Sequence, residues 1–340
     1  MNSPNKILIV RTDRIGDVVL TLPLAKYIKK FYPKSHVTFL VREYTSPLTL
    51  NNKFIDNTII LPEKSNQTNF WKVLSILKSE KFDTAIMVYP RFRISLALKL
   101  AGIKKRIGSG YRWFSFLFTD KVYEHRKTGE KHELEHNLTL LKKIGITDIE
   151  KTDVSFDIHI SEQSRQKVDQ IFEDYNIPDN RKIIIIHPGS GGSSIDLPIS
   201  KFSSLSYRLA HELDCVILIT GSQSEKNTCD KIMNELNSYN LAGKLTLEEL
   251  TAVIEKSDML IANSTGPIHI AAALGKNVVG FYPKIKECSV ERWGPYTDKS
   301  IIFSPSIDCK NCTREQCEKL DCMNSIDIDN VYSEIKTLLN

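Results

Sequence analysis

Short, continuously apolar runs alternate along this chain with segments in which apolar residues recur every three or four positions. The runs are rich in Ile and Val, which is typical of parallel strands covered on both faces. We predict strands over Lys6–Val10, Val37–Val41, Thr58–Leu61, Thr84–Val88, Lys182–His187, Cys215–Thr220, Met259–Ala262 and Asn277–Tyr282. We predict helices over Leu24–Phe31, Trp71–Ser79, Lys201–Leu213 and Leu247–Glu255. Because the alternation occurs twice, it predicts two α/β units with parallel sheets.

The length and the turn signals predict two domains. A chain of 340 residues corresponds to about two ordinary domains. The charged, helix-like segment 161–175 is followed by the turn cluster Asn176–Asn180, which places the boundary in this region. We therefore expect an α/β protein with two doubly wound, Rossmann-like domains, over 1–165 and 180–325, that face each other across a central cleft. A last helix over 326–340 is predicted to pack back on the N-terminal domain.

The composition excludes several classes of protein. With 41% hydrophobic and 26% charged residues, the chain has enough apolar material for packed cores, unlike a disordered or coiled-coil chain. The formal net charge of +5 is small for a dedicated nucleic-acid binder. The apolar run Ile7–Val10 is too short for a signal peptide, and no segment has the length and apolar character of a membrane span. We expect a cytoplasmic protein, either dissolved or held at a membrane surface.

The loop after the first predicted strand carries the first candidate site residues. It reads Arg11-Thr-Asp-Arg-Ile-Gly-Asp17 and leads into an apolar helix start. Open α/β sheets bind their ligands where a parallel strand ends and a helix begins. Gly16 permits a close backbone approach. Asp17 has two interpretations: it is either a functional acid or a carboxylate that only caps the helix.

Two loops of the C-terminal half suit an anion and a ribose. The sequence His187-Pro-Gly-Ser-Gly-Gly-Ser193 directly follows a predicted strand, and its backbone is rich in N–H groups suited to an anion. The alternative is a tight turn without chemistry. At the next strand end, Gly221 is followed by Glu225, whose carboxylate can accept hydrogen bonds from ribose hydroxyls. The alternative is an exposed residue in a first helical turn.

The strongest local pattern lies in 261–275. A predicted strand ends at Asn263 and a helix start follows, formed by Ser264, Thr265, Gly266 and Pro267. The backbone N–H groups of such a helix start point at an anion, with the hydroxyl of Thr265 beside them. His269 lies on the first turn, and it is either a structural histidine or a donor to a phosphate oxygen.

Basic residues flank an aromatic cluster in the N-terminal half. The segment Lys104–Arg112 leads directly into Trp113–Phe118. This combination suits an anionic sugar-lipid at a membrane surface. The alternative is a solvated basic loop beside ordinary core aromatics.

Four of the seven cysteines lie close together near the C-terminus, at Cys309, Cys312, Cys317 and Cys322. Four thiolates at this spacing are candidate ligands of a structural zinc ion. The alternatives are free thiols or a disulfide in a surface loop. No histidine motif is placed to activate them, so we do not expect a catalytic cysteine.

Together these motifs resemble glycosyltransferase family 9, the heptosyltransferases of lipopolysaccharide core assembly. The resemblance begins in Ile7–Pro23, includes the His187-Pro-Gly loop and the Ser264–His269 element, and extends from Lys6 to about Pro295. It implies a GT-B fold and transfer of a heptose, with inversion, from ADP-heptose to an inner-core sugar on lipid A at the inner membrane.

The resemblance also implies roles for individual residues. Asp17 would be the catalytic base. The donor-binding residues would be His187, Gly189, Ser190, Gly191, Gly192, Gly221, Glu225, Ser264, Thr265, Gly266, His269 and Lys284. The acceptor-binding residues would be Arg11, Arg14, Gly16 and Arg112. No catalytic metal or further cofactor is implied, because backbone and side-chain groups would stabilise the leaving diphosphate.

Two positions depart from the family's pattern. Ile195 stands where many members carry a lysine that contacts the donor phosphates, and Ser264 stands in place of an aspartate. The missing charge requires another cation, with Lys284 and Lys201 as candidates, or stabilisation by backbone groups alone. Two alternatives therefore stay open: a member that uses another nucleotide sugar or surface glycan, and a non-catalytic nucleotide-sugar binder. A Rossmann dehydrogenase is disfavoured, because no Gly-x-Gly-x-x-Gly turn follows any predicted strand.

Overall fold

The structure, a computed structural model, describes residues 4–64, 67–126, 129–150, 153–234, 236–307 and 312–339. The chain divides into two units. The first comprises Met1–Arg126 and Glu133–His159, and the second comprises Lys127–His132 and Ile160–Asn340. The second unit therefore begins slightly earlier than the predicted 180.

The first unit is built on a six-stranded parallel sheet. Its strands are β1 (Lys6–Val10), β2 (His36–Val41), β3 (Asn57–Ile60), β6 (Thr84–Met87), β7 (Lys105–Ser109) and β8 (Asp120–Val122), and a separate two-stranded ribbon consists of β4 (Glu63–Lys64) and β5 (Gln67–Thr68). Its helices are α1 (Ile15–Val19), α2 (Pro23–Phe31), α3 (Phe70–Glu80), α4 (Phe92–Leu100) and α5 (Glu133–Thr139). The strand order is β3-β2-β1-β6-β7-β8.

The second unit repeats this plan. Its strands are β9 (Ile183–His187), β10 (Val216–Ile219), β11 (Ser238–Asn240), β12 (Met259–Asn263), β13 (Asn277–Phe281) and β14 (Ser300–Phe303). Its helices are α6 (Glu162–Asp174), α7 (Ile199–Glu212), α8 (Lys226–Asp230), α9 (Leu247–Lys256), α10 (Gly266–Ala273), α11 (Val290–Trp293), α12 (Arg314–Lys319) and α13 (Ile328–Leu339). The strand order is β11-β10-β9-β12-β13-β14.

The strand order fixes where ligands can bind in each unit. β1 pairs in parallel with β2 on one side and with β6 on the other, so that Val10 lies between Leu40 and Met87. The chain order reverses between β1 and β6, and in the second unit it reverses between β9 and β12. Ligands of open α/β sheets bind outside the carboxyl ends of the strands at such a reversal. The predicted site loops follow three of these four strands.

The continuous apolar runs predicted the central strands correctly. All eight predicted strands and all four predicted helices are confirmed. To the two six-stranded sheets the structure adds β7, β8, β11 and β14, three of which lie at sheet edges. The residues of β7, β8 and β11 are largely half-buried, so their sequences, such as Ser238-Tyr-Asn240, lack the continuous apolar pattern of a strand covered on both faces. The strand β14 does contain the apolar run Ile301–Phe303, which was not predicted as a strand.

The prediction for the C-terminal helix is corrected. The apolar face of α13, formed by Val331, Tyr332, Ile335 and Leu339, is buried in the core of the second unit, next to α7. A helix was predicted in this region from the sequence, but it was assigned to the wrong domain. Among the described helices, none is long and apolar enough to cross a bilayer.

Candidate active site

Asp17 lies in the first turn of α1, directly after the loop that leaves β1 at the reversal point of the first sheet. The N-cap residue of α1 is Arg14, which makes no side-chain cap bond. The Asp17 carboxylate instead accepts a hydrogen bond from Nη2 of Arg11, and the two groups form an ion pair. The Asp17 side chain is thus paired with Arg11, and its functional role stays a prediction.

Arg11 is a buried cation at the end of β1, with only 2% of its side chain exposed. Its Nε donates to Oδ1 of Asp13 at 2.8 Å, and its Nη1 donates to Oδ1 of Asn137 at 3.3 Å. The same Nη1 lies 3.5 Å from Oε1 of Glu133, which is equally buried. A buried guanidinium needs such partners, because removing it from water without them is costly.

Asp17 is an acid whose ionisation is shifted towards neutral pH. Its side chain is 15% exposed, and burial raises the pKa of Asp17 to about 7. Arg11 opposes this rise in pKa, whereas the neighbouring Asp13 and Glu133 add to it. A carboxylate with a pKa near the working pH is well matched to accept a proton.

The other residues predicted for the acceptor side are distributed over the same sheet. Gly16 is buried in α1 and Arg14 is exposed beside it. Arg112 is exposed and follows β7, which is the second neighbour of β1 in the sheet. Because β1, β6 and β7 are parallel, Arg112 and the Asp17 segment both follow the carboxyl ends of strands, on the same side of the sheet.

The predicted aromatic cluster divides into a buried part and an exposed part. Phe114, Leu117 and Phe118 belong to the core of the first unit. Trp113 is 72% exposed and Phe116 is 60% exposed. The ring of Trp113 stacks on Phe92 of α4 with centroids 4.8 Å apart, and Nζ of Lys99 lies 5.9 Å from the centre of the Phe116 ring. The interpretation as ordinary core aromatics is therefore confirmed for Phe114, Leu117 and Phe118, and the contact of the exposed rings with a sugar-lipid stays a prediction.

In the second unit, two site loops follow the neighbouring strands β9 and β12. The side chain of Ser193 joins them, because its Oγ donates to the carbonyl of Ser264 at 3.0 Å. Asn263 reinforces this junction by accepting the N–H of Leu197 at 2.9 Å. Gly191 and Gly192 have φ values of +56° and +75°, which favour glycine. The structure thus brings the glycine loop onto the start of α10.

The Glu225 carboxylate lies beside this glycine loop. Its Oε2 accepts hydrogen bonds from the N–H and the hydroxyl of Ser222, at 2.8 and 2.7 Å. A Cβ atom on Gly189 would lie 1.7 Å from Oε1 of Glu225, and one on Gly221 would lie 3.3 Å from Oε2. The two glycines therefore leave the space in which this carboxylate sits.

The start of α10 has the features of an anion site. The N-cap residue Thr265 is extended and makes no side-chain cap bond. His269 is 4% exposed, and its Nδ1 has no hydrogen-bond partner among the described residues. Burial lowers the pKa of His269 to about 3, so the ring is neutral at physiological pH. A neutral ring with an unused nitrogen at a helix start can contribute a hydrogen bond to a bound phosphate.

His187, the other histidine predicted for the donor site, forms a hydrogen bond within the fold. It is buried at the end of β9, and its Nδ1 lies 2.9 Å from Oγ1 of Thr220, just beyond β10. Burial lowers the pKa of His187 to about 4. This neutral ring joins the ends of two adjacent strands below the glycine loop.

The two lysines considered as replacements for the missing charge are engaged elsewhere. Nζ of Lys284 donates to the carbonyl of Ile307 at 3.0 Å, and Nζ of Lys201 donates to that of Ile326 at 2.7 Å. Ile195 packs against the apolar core and the cysteine cluster. The loop that carries Ile195 therefore turns this side chain inward.

Arg314 is a further cation beside the glycine loop, and it was not predicted from the sequence. Its Nη2 donates to the carbonyl oxygens of Gly192 and Ser194, at 3.2 Å each. Arg314 is the first residue of α12 and stands within the cysteine-rich segment, which the sequence patterns associated with metal rather than with the donor. Only the folded chain places its guanidinium on the glycine loop.

The cysteine-rich segment packs as an apolar cluster. Cys312, Cys317 and Cys322 are buried together with Cys288 and Ile285. Cys309 lies outside the described residues, and the described residues contain no group of three or more His, Cys, Asp or Glu side chains arranged to hold a metal ion. The structural zinc ion stays a prediction.

Comparisons with known proteins agree with this architecture. The family model described as "Glycosyltransferase family 9 (heptosyltransferase)" matches residues 70–322. A Haemophilus influenzae protein named "Putative glycosyltransferase" is 29% identical over 345 positions, covering 98% of this chain and 96% of that protein. The lipopolysaccharide core heptosyltransferase OpsX of the same organism is 27% identical over 358 positions, covering 99% of this chain and 97% of that protein.

A solved structure has a similar fold. The Escherichia coli ADP-heptose lps heptosyltransferase II superposes with a TM-score of 0.79 at 18% identity, covering 98% of both chains. At this sequence identity the similarity shows a common fold, which has two Rossmann-like sheets.

Proposed function

Because the chain belongs to glycosyltransferase family 9, the heptosyltransferases, and has their GT-B fold, we propose that it moves a heptose from ADP-heptose to a lipopolysaccharide core acceptor. One observation supports this most. The reversal point of the first sheet holds a carboxylate with a pKa near neutrality, and that of the second holds a helix start suited to phosphate. The names of the OpsX relative and of the E. coli structure support the choice of core acceptor and donor.

In this proposal Asp17 is the catalytic base. It takes the proton of the acceptor hydroxyl while that oxygen forms a bond to the anomeric carbon of the heptose. The bond from this carbon to the diphosphate oxygen breaks, and the electron pair leaves with ADP. Attack from the face opposite the leaving group inverts the anomeric carbon. A positioned base of this kind contributes a rate factor on the order of 10²–10⁴.

The second unit would bind the donor and stabilise the leaving diphosphate. The helix start at Thr265 and the unused nitrogen of His269 provide hydrogen-bond donors for the developing negative charge. Arg314 supplies the positive charge that Ile195 lacks, and it does so through the glycine loop. Glu225 would accept hydrogen bonds from the ribose hydroxyls.

The first unit would also bind the lipid-linked acceptor at a membrane surface. The exposed rings of Trp113 and Phe116 lie among basic side chains, including Arg112 and Lys99. Aromatic rings suit the headgroup region of a membrane, and basic residues are attracted to anionic lipids and phosphorylated sugars. We therefore place the enzyme at the membrane that carries its acceptor.

Product formation tests this proposal. Purified protein is mixed with ADP-heptose and a truncated core lipopolysaccharide, and both ADP release and the mass of the acceptor are measured. We expect ADP release that requires the acceptor, together with an acceptor heavier by one heptose. Binding of ADP-heptose without transfer to any core acceptor would instead support the non-catalytic binder, which the substitutions at Ile195 and Ser264 favour. No binding would refute the choice of donor.

A further inference from the structure

We propose that Arg11 and Glu133 are positioning residues that set the orientation and the protonation of Asp17 from opposite sides. This inference rests on the proposed function, because it takes Asp17 as the base. Neither residue needs to touch the substrate: Arg11 would act through its bond to Asp17, and Glu133 would act through Arg11 and through its own charge.

The orientation of Asp17 depends on a guanidinium that cannot turn freely. Nε and both terminal nitrogens of Arg11 point at different partners, namely Asp13, Asn137 and Asp17. A planar guanidinium with all three nitrogens engaged has one orientation. The bond from Nη2 therefore fixes the position of the Asp17 carboxylate on the short helix α1.

Glu133 and Asn137, both on α5, hold the far side of this guanidinium. Glu133 is 2% exposed and is paired with Arg126 as well as with Arg11. Oδ1 of Asn137 accepts hydrogen bonds from Nη1 of Arg11 and from Nη1 of Arg126, at 3.3 and 3.2 Å. Second contacts of this kind are what keep a functional side chain in one geometry.

The same helix is also tied to the segment that follows Asp17. Nδ2 of Asn137 donates to the carbonyl of Leu20 at 3.0 Å and lies 3.3 Å from Oγ1 of Thr21. Thr21 in turn donates to the backbone carbonyl of Asp17 at 2.7 Å. Helix α5 thus contacts both the guanidinium that binds Asp17 and the backbone that follows Asp17. The position of this helix therefore influences the position of the carboxylate.

The charges around Asp17 act in opposite directions. The facing cation is Arg11, with Arg126 behind it, and the facing carboxylates are Asp13 and Glu133. Arg14 and Tyr44 are further charged or titratable groups near the loop, and the hydroxyl of Tyr44 donates to the carbonyl of Asp13. On α5, His136 interacts electrostatically with Glu133 and Arg126, and its Nδ1 lies 2.7 Å from Oε2 of Glu124. Arg11 lowers the pKa of Asp17, whereas Glu133 raises it.

Because the two charges act in opposite directions, their removal should shift the pH profile of kcat in opposite directions. A purely structural role of these residues would not produce such shifts. We expect Glu133→Gln, which removes a negative charge with little change of shape, to move the acid limb of the kcat profile to lower pH by about one unit. We expect Arg11→Gln to move the same limb to higher pH by a similar amount. Both variants are expected to lower kcat, with the KM for the donor unchanged.

Glu80→Gln is the matched control. Glu80 forms an ion pair with Lys6 at 2.7 Å, at the opposite end of β1 from the Asp17 loop, so its loss removes a comparable charge without touching the network. Its pH profile is expected to match that of the wild type. If Arg11→Gln does not fold, Arg11→Lys replaces it. It keeps the charge but loses the fork of donors, and kcat should fall without a matching change in donor KM.

The outcomes separate this inference from the proposed function. An Asp17→Asn variant that keeps full transfer activity would refute Asp17 as the base, whatever the other variants do. An inactive Asp17→Asn variant combined with shifts of the two profiles in the same direction, or with no shift in Glu133→Gln, would overturn the positioning roles alone. Opposite shifts would support them.

Discussion

The carboxylate of Glu225 lies directly against Gly189, with so little space that a methyl group on Gly189 would come within 1.7 Å of Oε1. Gly189→Ala should therefore displace the flexible end of Glu225 and weaken ADP binding about tenfold, because the ribose hydroxyls lose the carboxylate that accepts their hydrogen bonds. Calorimetric titration with ADP measures the effect. In a Glu225→Ala background, Gly189→Ala should change the affinity for ADP only slightly. An equal loss of ADP affinity in both backgrounds would show that the clash with Glu225 is not the cause.

Arg314 is expected to supply positive charge at the donor diphosphate. Arg314→Met should raise the Kd for ADP about tenfold, because the variant loses the positive charge and the charge-assisted hydrogen bonds that hold the glycine loop at Gly192 and Ser194. Lys319→Met is the control, because Lys319 lies at the other end of α12 and the charge change is the same. Equal effects of the two substitutions on ADP binding would argue against a specific role for Arg314.

The two buried histidines of the second unit predict a loss of stability in acid. The pKa values of His187 and His269 lie well below the ordinary 6.5, so the stability they contribute is present above pH 6.5 and is lost as pH falls towards 4. Between pH 7 and pH 5 each should cost about 2 kcal/mol of unfolding free energy. Urea unfolding at both pH values measures this loss.

His187→Asn should reduce that pH dependence even though it lowers stability at pH 7. The exposed His211 offers the control, and His211→Asn should leave the pH dependence as in the wild type. A pH dependence of the same size in the His187 variant would contradict this assignment.

The exposed aromatic rings of the first unit predict binding to anionic membranes. Trp113→Ala combined with Phe116→Ala should reduce co-sedimentation with phosphatidylglycerol vesicles severalfold, because each ring contributes buried apolar area at the interface. Tyr207→Ala, at an exposed ring on α7 of the second unit, is the control. Unchanged sedimentation of the double variant would exclude these rings as the membrane contact.

Local patterns in the sequence predicted the central strands and the site loops, because both depend on neighbouring residues. Buried strands are continuously apolar, and an anion-binding helix start needs a short run such as Ser264–His269. The half-buried edge strands β8 and β11 have no such pattern. The partner of α13 was mispredicted because the local sequence of a helix does not specify which surface of the fold it covers.

The charged partners of the site could not be predicted in the same way. Asn137 lies 126 residues from Arg11 in the chain, and Arg314 lies 122 residues from Gly192. Nothing in the local sequence of either pair specifies the other member. These contacts depend on where the tertiary fold places α5 and α12, which the local sequence does not specify.

The role of Asp17 as the catalytic base is tested by single-turnover transfer with the Asp17→Asn variant. ADP-heptose and core acceptor are mixed with excess enzyme, and formation of the heptosylated acceptor is followed together with the Kd for ADP. We expect a transfer rate at least about 100-fold below that of the wild type and an unchanged Kd for ADP, because only proton removal is lost. A rate within a few-fold of the wild type would contradict Asp17 as the base and, with it, the mechanism proposed for this enzyme.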